Sequence, residues 1–441
     1  MSIAGTPQVT ADLTIEDQRI VHKASKRIIP FLILLYFFAY LDRVNISFAS
    51  LQMNADLGFS STVYGFGASM FFVAYFFFEV PSNLALSKFG ARLWIARIMI
   101  TWGLISAGMA FVSGERSFYT LRFLLGVAEA GFFPGILVYL GSWFPRHYRA
   151  RITGVFLMAI PLSGLIGSPV SGLLLDQMNG AYGIAGWQWM FIIEGVPALL
   201  LGISCLWLLA ERPAEASWLA PAERTRLEDI LAKERSNLEA VHTYKLADAF
   251  VNPGVLLLAG VLFCIVFGVT GIAFFLPQII KSFGYSNTAT GFLSAIPYLC
   301  GAVTMVLWAR RSDAKRERIG HLTAAMLLGA LGFIVTTFTL GIHSIALLGL
   351  IVAAVGVFCA NPILWTLPTS LMTGTAAAAA VALINSVANL SGIVGPPLLG
   401  WSRDVTGGFA AAGMIFTAVL LLGVLLVWIF SRGKMARGVQ S

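Results

Sequence analysis

The chain has 441 residues, of which 58% are hydrophobic and only 11% charged, whereas a typical soluble domain is roughly a quarter charged; an ordinary water-soluble fold is excluded. The formal net charge of +8 does not mark a nucleic-acid binder, because the Lys and Arg residues sit in short clusters between apolar stretches, as they do in cytoplasmic loops of membrane proteins. Cys205, Cys264, Cys300 and Cys359 lie far apart in separate apolar stretches, so neither a disulfide framework nor a metal or cofactor site is signalled.

Residues 1–27 are polar and end in Lys23, Lys26 and Arg27. The apolar stretch after them has no small-residue cleavage site, which reads as a retained first helix. Apolar segments long enough to cross a hydrocarbon core of about 30 Å fall near 28–50, 64–87, 93–112, 118–140, 152–175 and 187–209. A second set falls near 254–280, 289–309, 320–340, 343–364, 376–399 and 409–431. The expected class is an all-α membrane protein of twelve transmembrane helices. Its expected divisions are a tail 1–27, a six-helix bundle 28–209, a charged central loop 210–250, a second bundle 251–431 and a tail 432–441. Near the connections, 24 Lys and Arg fall on one side against Arg116, Lys281 and Arg403 on the other. Both tails and the central loop are therefore expected in the cytoplasm.

The halves carry a repeat. The stretch LGFSSTVYGF at 57–66 aligns with FGYSNTATGF at 283–292, and LSGLIGSP at 162–169 aligns with LSGIVGPP at 390–397. The second match continues through Gly172 with Gly400 and Asp176 with Asp404, and the offsets are 226 and 228. Two matches at nearly one offset point to duplication. Six helices per half give both copies one topology, a parallel repeat about an axis along the membrane normal, which is a transporter architecture.

Ionisable groups inside a membrane are costly and usually face a cavity or a partner. Asp42 and Arg43 stand in the first helix about 15 residues beyond Arg27, roughly 22 Å along at 1.5 Å per residue. Arg122 and Glu129 lie seven residues apart in the fourth helix, two turns apart and on one face. Asp42, Arg43, Arg122 and Glu129 are the expected polar lining of a central cavity. An Arg fork suits a substrate carboxylate, and a partly desolvated Asp or Glu suits a proton. The competing reading is that the four only pair with one another as helix glue.

Tyr40 and Tyr75 offer hydroxyls and rings to a ligand, or simply pack. The second half has no ionisable residue inside its helices; Asn361, Trp365, Asn385 and Asn389 are its candidate hydrogen-bonding and stacking groups, with interhelical bonding as the alternative. Glu79 and Glu194 read as gating or structural residues. The small-residue runs Gly164, Gly167, Gly172 and Gly392, Gly395, Gly400, with Pro169, Pro396 and Pro397, allow close helix approach and bending.

Several segments together resemble one family. YLDRVNI at 40–46, PSN at 81–83, GAR at 90–92, LRFLLGVAEAGFFPG at 121–135 and GWQWMFIIEG at 186–195 are similar to the anion:cation symporter branch of the major facilitator superfamily, and the likeness spans nearly the whole chain. The resemblance implies two pseudo-symmetric six-helix bundles and proton-coupled import of carboxylates such as tartrate, sugar acids or hydroxyphenylacetate in bacteria. It also implies proton coupling at Asp42 and Glu129 and anion binding at Arg43 and Arg122. Two features depart from it: the signature between helices two and three lacks its usual Asp in SKFGAR at 87–92, and no Arg stands between 254 and 280, unlike in vesicular animal members.

The expectation is a multi-pass protein of the bacterial inner membrane, working as a monomer. It would import a small organic acid with protons by alternating access, with no catalytic residue, metal, cofactor or nucleic-acid partner. An uncoupled facilitator or exporter is the first alternative and a non-transporting membrane sensor the second. Against an enzyme stands the scatter of His22, His147, His242, His321 and His343 near helix ends or loops, with no Ser/His/Asp arrangement or phosphate-cradling loop.

Overall fold

The computed structural model describes residues 14–239, 251–315, 317–367 and 374–432; the expected tails before 14 and after 432, and the end of the central loop, lie outside them. Among the described residues the chain is helical throughout, without strands. Twelve helices are long and apolar enough to cross a membrane. The first six spans are Ile15–Leu57, Ser61–Phe89, Ala91–Phe111, Glu115–Trp143, Ile152–Gln177 and Gly186–Leu208. The second six are Pro253–Lys281, Asn287–Lys315, Ile319–Phe338, His343–Leu364, Ala380–Thr406 and Ala410–Arg432.

The helix of the first span starts well before the apolar stretch, because a capping box closes its first turn: Asp17 N–H donates to Thr14 Oγ1 and Thr14 N–H to the Asp17 carboxylate. The central connection, expected as a loop, contains the helix Pro221–Glu239. That helix is tied to the extended first helix by Arg226 on Asp17, at 2.7 and 3.0 Å, and by Lys23 on Glu223 at 2.6 Å. The Lys23 ion pair holds the Glu223 carboxyl below the ordinary range.

Each half packs its six spans by the same scheme. The first span packs on the fifth and sixth, the second on the fourth, and the third on the fourth and sixth. In the second half the seventh packs on the eleventh and twelfth, the eighth on the tenth, and the ninth on the tenth and twelfth. Between the halves, the second span packs on the eleventh and the fifth on the eighth, again a symmetric pair, with the first and seventh beside each other. The expected two pseudo-symmetric bundles are thus present.

The halves meet along the parts of these helices farthest from the termini. A Cβ on Gly172 would sit 2.5 Å from the Asn287 carbonyl oxygen, and one on Gly291 2.5 Å from that of Ser168; only glycine lets the fifth and eighth spans come this close. Gly400 and Gly65 do the same between the eleventh and second spans. Gly164 and Gly392, equivalent in the repeat, lie under the rings of Tyr298 and Phe72 respectively. The bundle is sealed at the face opposite the termini.

Two spans are broken, which periodicity alone does not reveal. The fourth runs helical from Glu115 to Glu129, breaks at Ala130 and Gly131, and resumes over Phe132–Trp143. Gly131 has φ +82°, a left-handed conformation that glycine adopts without steric cost. The fifth span's regular hydrogen bonding is interrupted at Met158, between Arg146–Leu157 and Ala159–Gln177, although Met158 keeps helical backbone angles (φ −61°, ψ −17°).

Candidate functional site

Neighbouring residues on a helix project about 100° apart, so Asp42 and Arg43 serve different partners. Asp42 turns into its own half, toward the third span. Its carboxylate accepts from Trp102 Nε1 at 2.7 Å, from Asn45 Nδ2 at 3.0 Å and from the Ser106 hydroxyl. Asn45 stands one turn beyond Asp42 on the same face, and Trp102 and Ser106 stand one turn apart on the third span. Their spacing was the available signal for this cluster; none of the three was singled out from sequence.

Arg43 turns toward the fourth span. Its Nε donates to Glu129 Oε1 at 2.8 Å, and Nη2 donates to the same oxygen. Glu129 is the last residue before the helix break, so the carboxylate sits where the chain leaves regular hydrogen bonding. Its Oε2 is buried without a partner among the described residues. The Arg43 side chain is 22% exposed against 1% for Glu129, so the cation is the accessible end of the pair. The rings of Phe71, Tyr75 and Tyr40 surround its guanidinium at 5.4, 5.5 and 5.9 Å, within cation–π range.

Arg122 is fully enclosed. Its guanidinium lies 5.1 Å from the Phe71 centroid, so one ring is within cation–π range of both arginines. Its Nε reaches the Gly67 carbonyl only at 3.4 Å, and Nη2 has no partner among the described residues. A buried guanidinium with an open donor and a buried carboxylate with an open acceptor leave this pocket under-satisfied. That is a condition an added anion and proton would relieve.

Arg43, Glu129, Tyr40 and Tyr75 are therefore brought together, with Arg122 enclosed nearby against the same Phe71 ring. Asp42 shares no hydrogen bond with them; its carboxylate is buried toward the third span, close enough for its charge to act on Arg122 and Glu129. Asn361 and Trp365, one turn apart at the end of the tenth span, and Asn385 and Asn389, one turn apart on the eleventh, are half-buried. No hydrogen bond joins these four to the charges of the first half among the described residues. Phe71 was missed from sequence, since nothing distinguishes it among the 33 Phe of the chain.

Glu211, just past the sixth span, accepts from the N–H groups of Ala91 and Arg92 at 2.6 and 2.8 Å. A carboxylate thus caps the positive end of the third span from another element.

The Major Facilitator Superfamily profile matches residues 32–396 and 258–439. A protein of Agrobacterium vitis named as a tartrate transporter is 49% identical over 97% of this chain and 94% of its own length. A protein of Acinetobacter baumannii named as a quinolone resistance transporter is 40% identical over 94% and 95%. Among solved structures, the Escherichia coli xylose transporter XylE in a partially occluded inward-open conformation superposes with a TM-score of 0.75, at 16% identity over 93% of this chain and 99% of that one. With the twelve spans and the symmetric packing described above, these matches make the chain a multi-pass membrane transporter that belongs to the Major Facilitator Superfamily.

Proposed function

We propose that the protein imports a small organic anion, of the class of tartrate, sugar acids or aromatic acids, together with protons by alternating access. The observation that carries the reading is the Arg43–Glu129 pair, with its cation accessible among aromatic rings and its carboxylate buried. An incoming carboxylate and Glu129 compete for one guanidinium fork. A proton on Glu129 removes the competitor's charge and releases the fork to the substrate, so proton and anion enter together. Arg122 supplies a second fixed positive charge, and Asn361, Trp365, Asn385 and Asn389 supply the neutral wall from the other half. Asp42 takes the second proton-coupling role within the first half. The name of the Agrobacterium vitis relative supports tartrate as the first acid to try.

The arrangement sealed opposite the termini corresponds to the inward-facing stage if the termini are cytoplasmic, as the Lys and Arg asymmetry supports; the membrane is then the bacterial inner membrane, and the working unit a monomer. The test is reconstitution in liposomes holding a pH dye, with tartrate, sugar acids, phthalate and hydroxyphenylacetates added outside. Internal acidification with one acid, lost in Asp42→Asn and Glu129→Gln, is the expected result. A second reading, export or uncoupled movement of such acids, is favoured by the relative named for quinolone resistance. It predicts isotope exchange without acidification, unaffected by either substitution.

A further inference from the structure

Asp42, Arg43, Arg122, Glu129 and Glu194 lie at close quarters inside the first half, with the half-buried Glu79 at their edge toward Arg43. Were these five all ionised, three negative charges would face two positive ones, and an uncompensated charge within a membrane bundle is expensive. One proton restores balance, and the hydrogen bonds indicate where it resides. Asp42 accepts three donors and faces Arg122. Glu129 accepts two N–H groups of Arg43. Glu194, 5% exposed, has only neutral neighbours to donate to it, the Ser171 hydroxyl at 2.7 Å on Oε1 and the adjacent Asn45 amide, and its Oε2 has no hydrogen-bond partner among the described residues.

Beside it lies a second unsatisfied acceptor. Asn45, wholly buried, donates through Nδ2 to Asp42, and the same side chain lies against the Glu194 carboxyl. Its Oδ1 has no donor among the described residues. Two adjacent buried acceptors without a donor are both satisfied by one added hydrogen. The titratable group facing Glu194 is Asp42 of the first span. The fifth span faces it with Ser171, and the third packs on the adjoining Gly195 with Gly103 and Ala107.

We propose that Asp42 and Glu194 form a one-proton pair bridged by the Asn45 amide, with the proton resident on Glu194 in the arrangement sealed opposite the termini. Neutral Glu194 donates its Oε2–H to Asn45 Oδ1, and Asn45 Nδ2 donates to ionised Asp42. When the proton moves from Glu194 Oε2 to Asp42, Glu194 is left as a carboxylate and the amide turns over. Asp42 then donates to Oδ1, and Nδ2 donates to Glu194. The amide's two faces thus hold either state without a loose polar group. The inference rests on the proton-coupled reading for its place in the cycle and makes Glu194 a second residence of the transported proton.

Infrared difference spectroscopy on the full chain in lipid nanodiscs tests this without any substrate. The expected spectrum at pH 7 has a protonated-carboxyl C=O band that is sensitive to D2O. That band is lost in Glu194→Gln, kept in Glu129→Gln, and moved to higher frequency in Asn45→Ala, where the bridging hydrogen bond is gone. A carboxyl region unchanged by Glu194→Gln overturns the proposal. Asn45→Ala keeps the native Glu194, so the question remains answerable if Glu194→Gln does not fold. In the liposome assay with tartrate, Glu194→Gln is expected to keep isotope exchange and lose acidification. Wild-type protein that shows the band but acidifies with no acid would sink the proton-coupled reading alone.

Discussion

Asp176 and Asp404 stand 228 residues apart and make the same contact in opposite directions across the boundary between the halves. Asp176, at the end of the fifth span, accepts from Thr288 N–H and Oγ1 and from Asn287 Nδ2, at 2.7 to 2.8 Å. Asp404, at the end of the eleventh, accepts from Ser61 N–H, Thr62 N–H and Thr62 Oγ1, at 3.0, 2.7 and 2.6 Å. Each carboxylate caps the first turn of a helix in the other half, where the exposed N–H groups and helix dipole favour a negative charge.

These two caps belong to the sealed face and should bias the molecule toward it. Asp404→Ala and Asp176→Ala are each expected to weaken the seal by about 1 kcal/mol, a roughly five-fold change in the population ratio. The two sites are separate, so their effects should add. Spin-label distances across the face opposite the termini report the populations. Distributions that do not broaden in the double variant would mean that the glycine contacts alone hold the seal.

Arg43 gives a sharper prediction about the site. Arg43→Lys keeps the charge but loses the planar fork that puts two N–H groups on one carboxylate. Uptake of the transported acid is expected to fall about tenfold or more, corresponding to roughly 1.4 kcal/mol. Uptake kinetics in liposomes would show the loss as a raised half-saturation concentration. Unchanged affinity in Arg43→Lys, with a loss in Arg122→Lys, would move the anion site to Arg122.

Parts of this arrangement were legible before any coordinates. The repeat pairs Asp176 with Asp404, Gly164 with Gly392 and Gly172 with Gly400, and each pair occupies equivalent contacts. Hydrophobic length located the spans, and membrane burial made Asp42, Arg43, Arg122 and Glu129 stand out. The direction of Asp42 was not legible, because a helix's rotation is set by packing against its neighbours and not by its own pattern. The break after Glu129 was hidden for a related reason: an apolar run continues through Ala130–Gly131, and the interruption lies in the backbone alone, extended at Ala130 and left-handed at Gly131.

Acidification should release the helix Pro221–Glu239 from the first helix. Glu223 is depressed by its partner Lys23, with the Ala220 N–H adding to the effect. A depressed carboxylate contributes its full stability above the ordinary Glu value of about 4.3 and loses it as pH falls through the lowered folded value. Docking should therefore be flat from neutral pH to about 5 and weaken below about 4. The exposed pair contributes at most about 1 kcal/mol, so Lys23→Ala should loosen the helix slightly at neutral pH and flatten the acid response. Spin-label mobility on the helix, followed by titration, measures both; an acid response unchanged in Lys23→Ala would assign it to another pair.

The break at Gly131 carries the last prediction. Its φ of +82° is unfavourable for a residue with a Cβ, by roughly 1–2 kcal/mol. A Cβ there would also stand 2.8 Å from that of Ser82, and overpacking adds about 1–3 kcal/mol. Gly131→Ala should therefore lower the melting temperature and disturb the carboxylate of Glu129 two residues before it. Gly108 provides the matched control, because it has φ −63° and nothing lies within 4 Å of an added Cβ. Gly108→Ala should be neutral or stabilise by about 0.4–1 kcal/mol, chiefly by restricting the unfolded chain. Thermal unfolding in detergent compares the two. Equal melting temperatures for both variants would mean that the fourth span can straighten through Gly131 and that its break does not fix the position of Glu129.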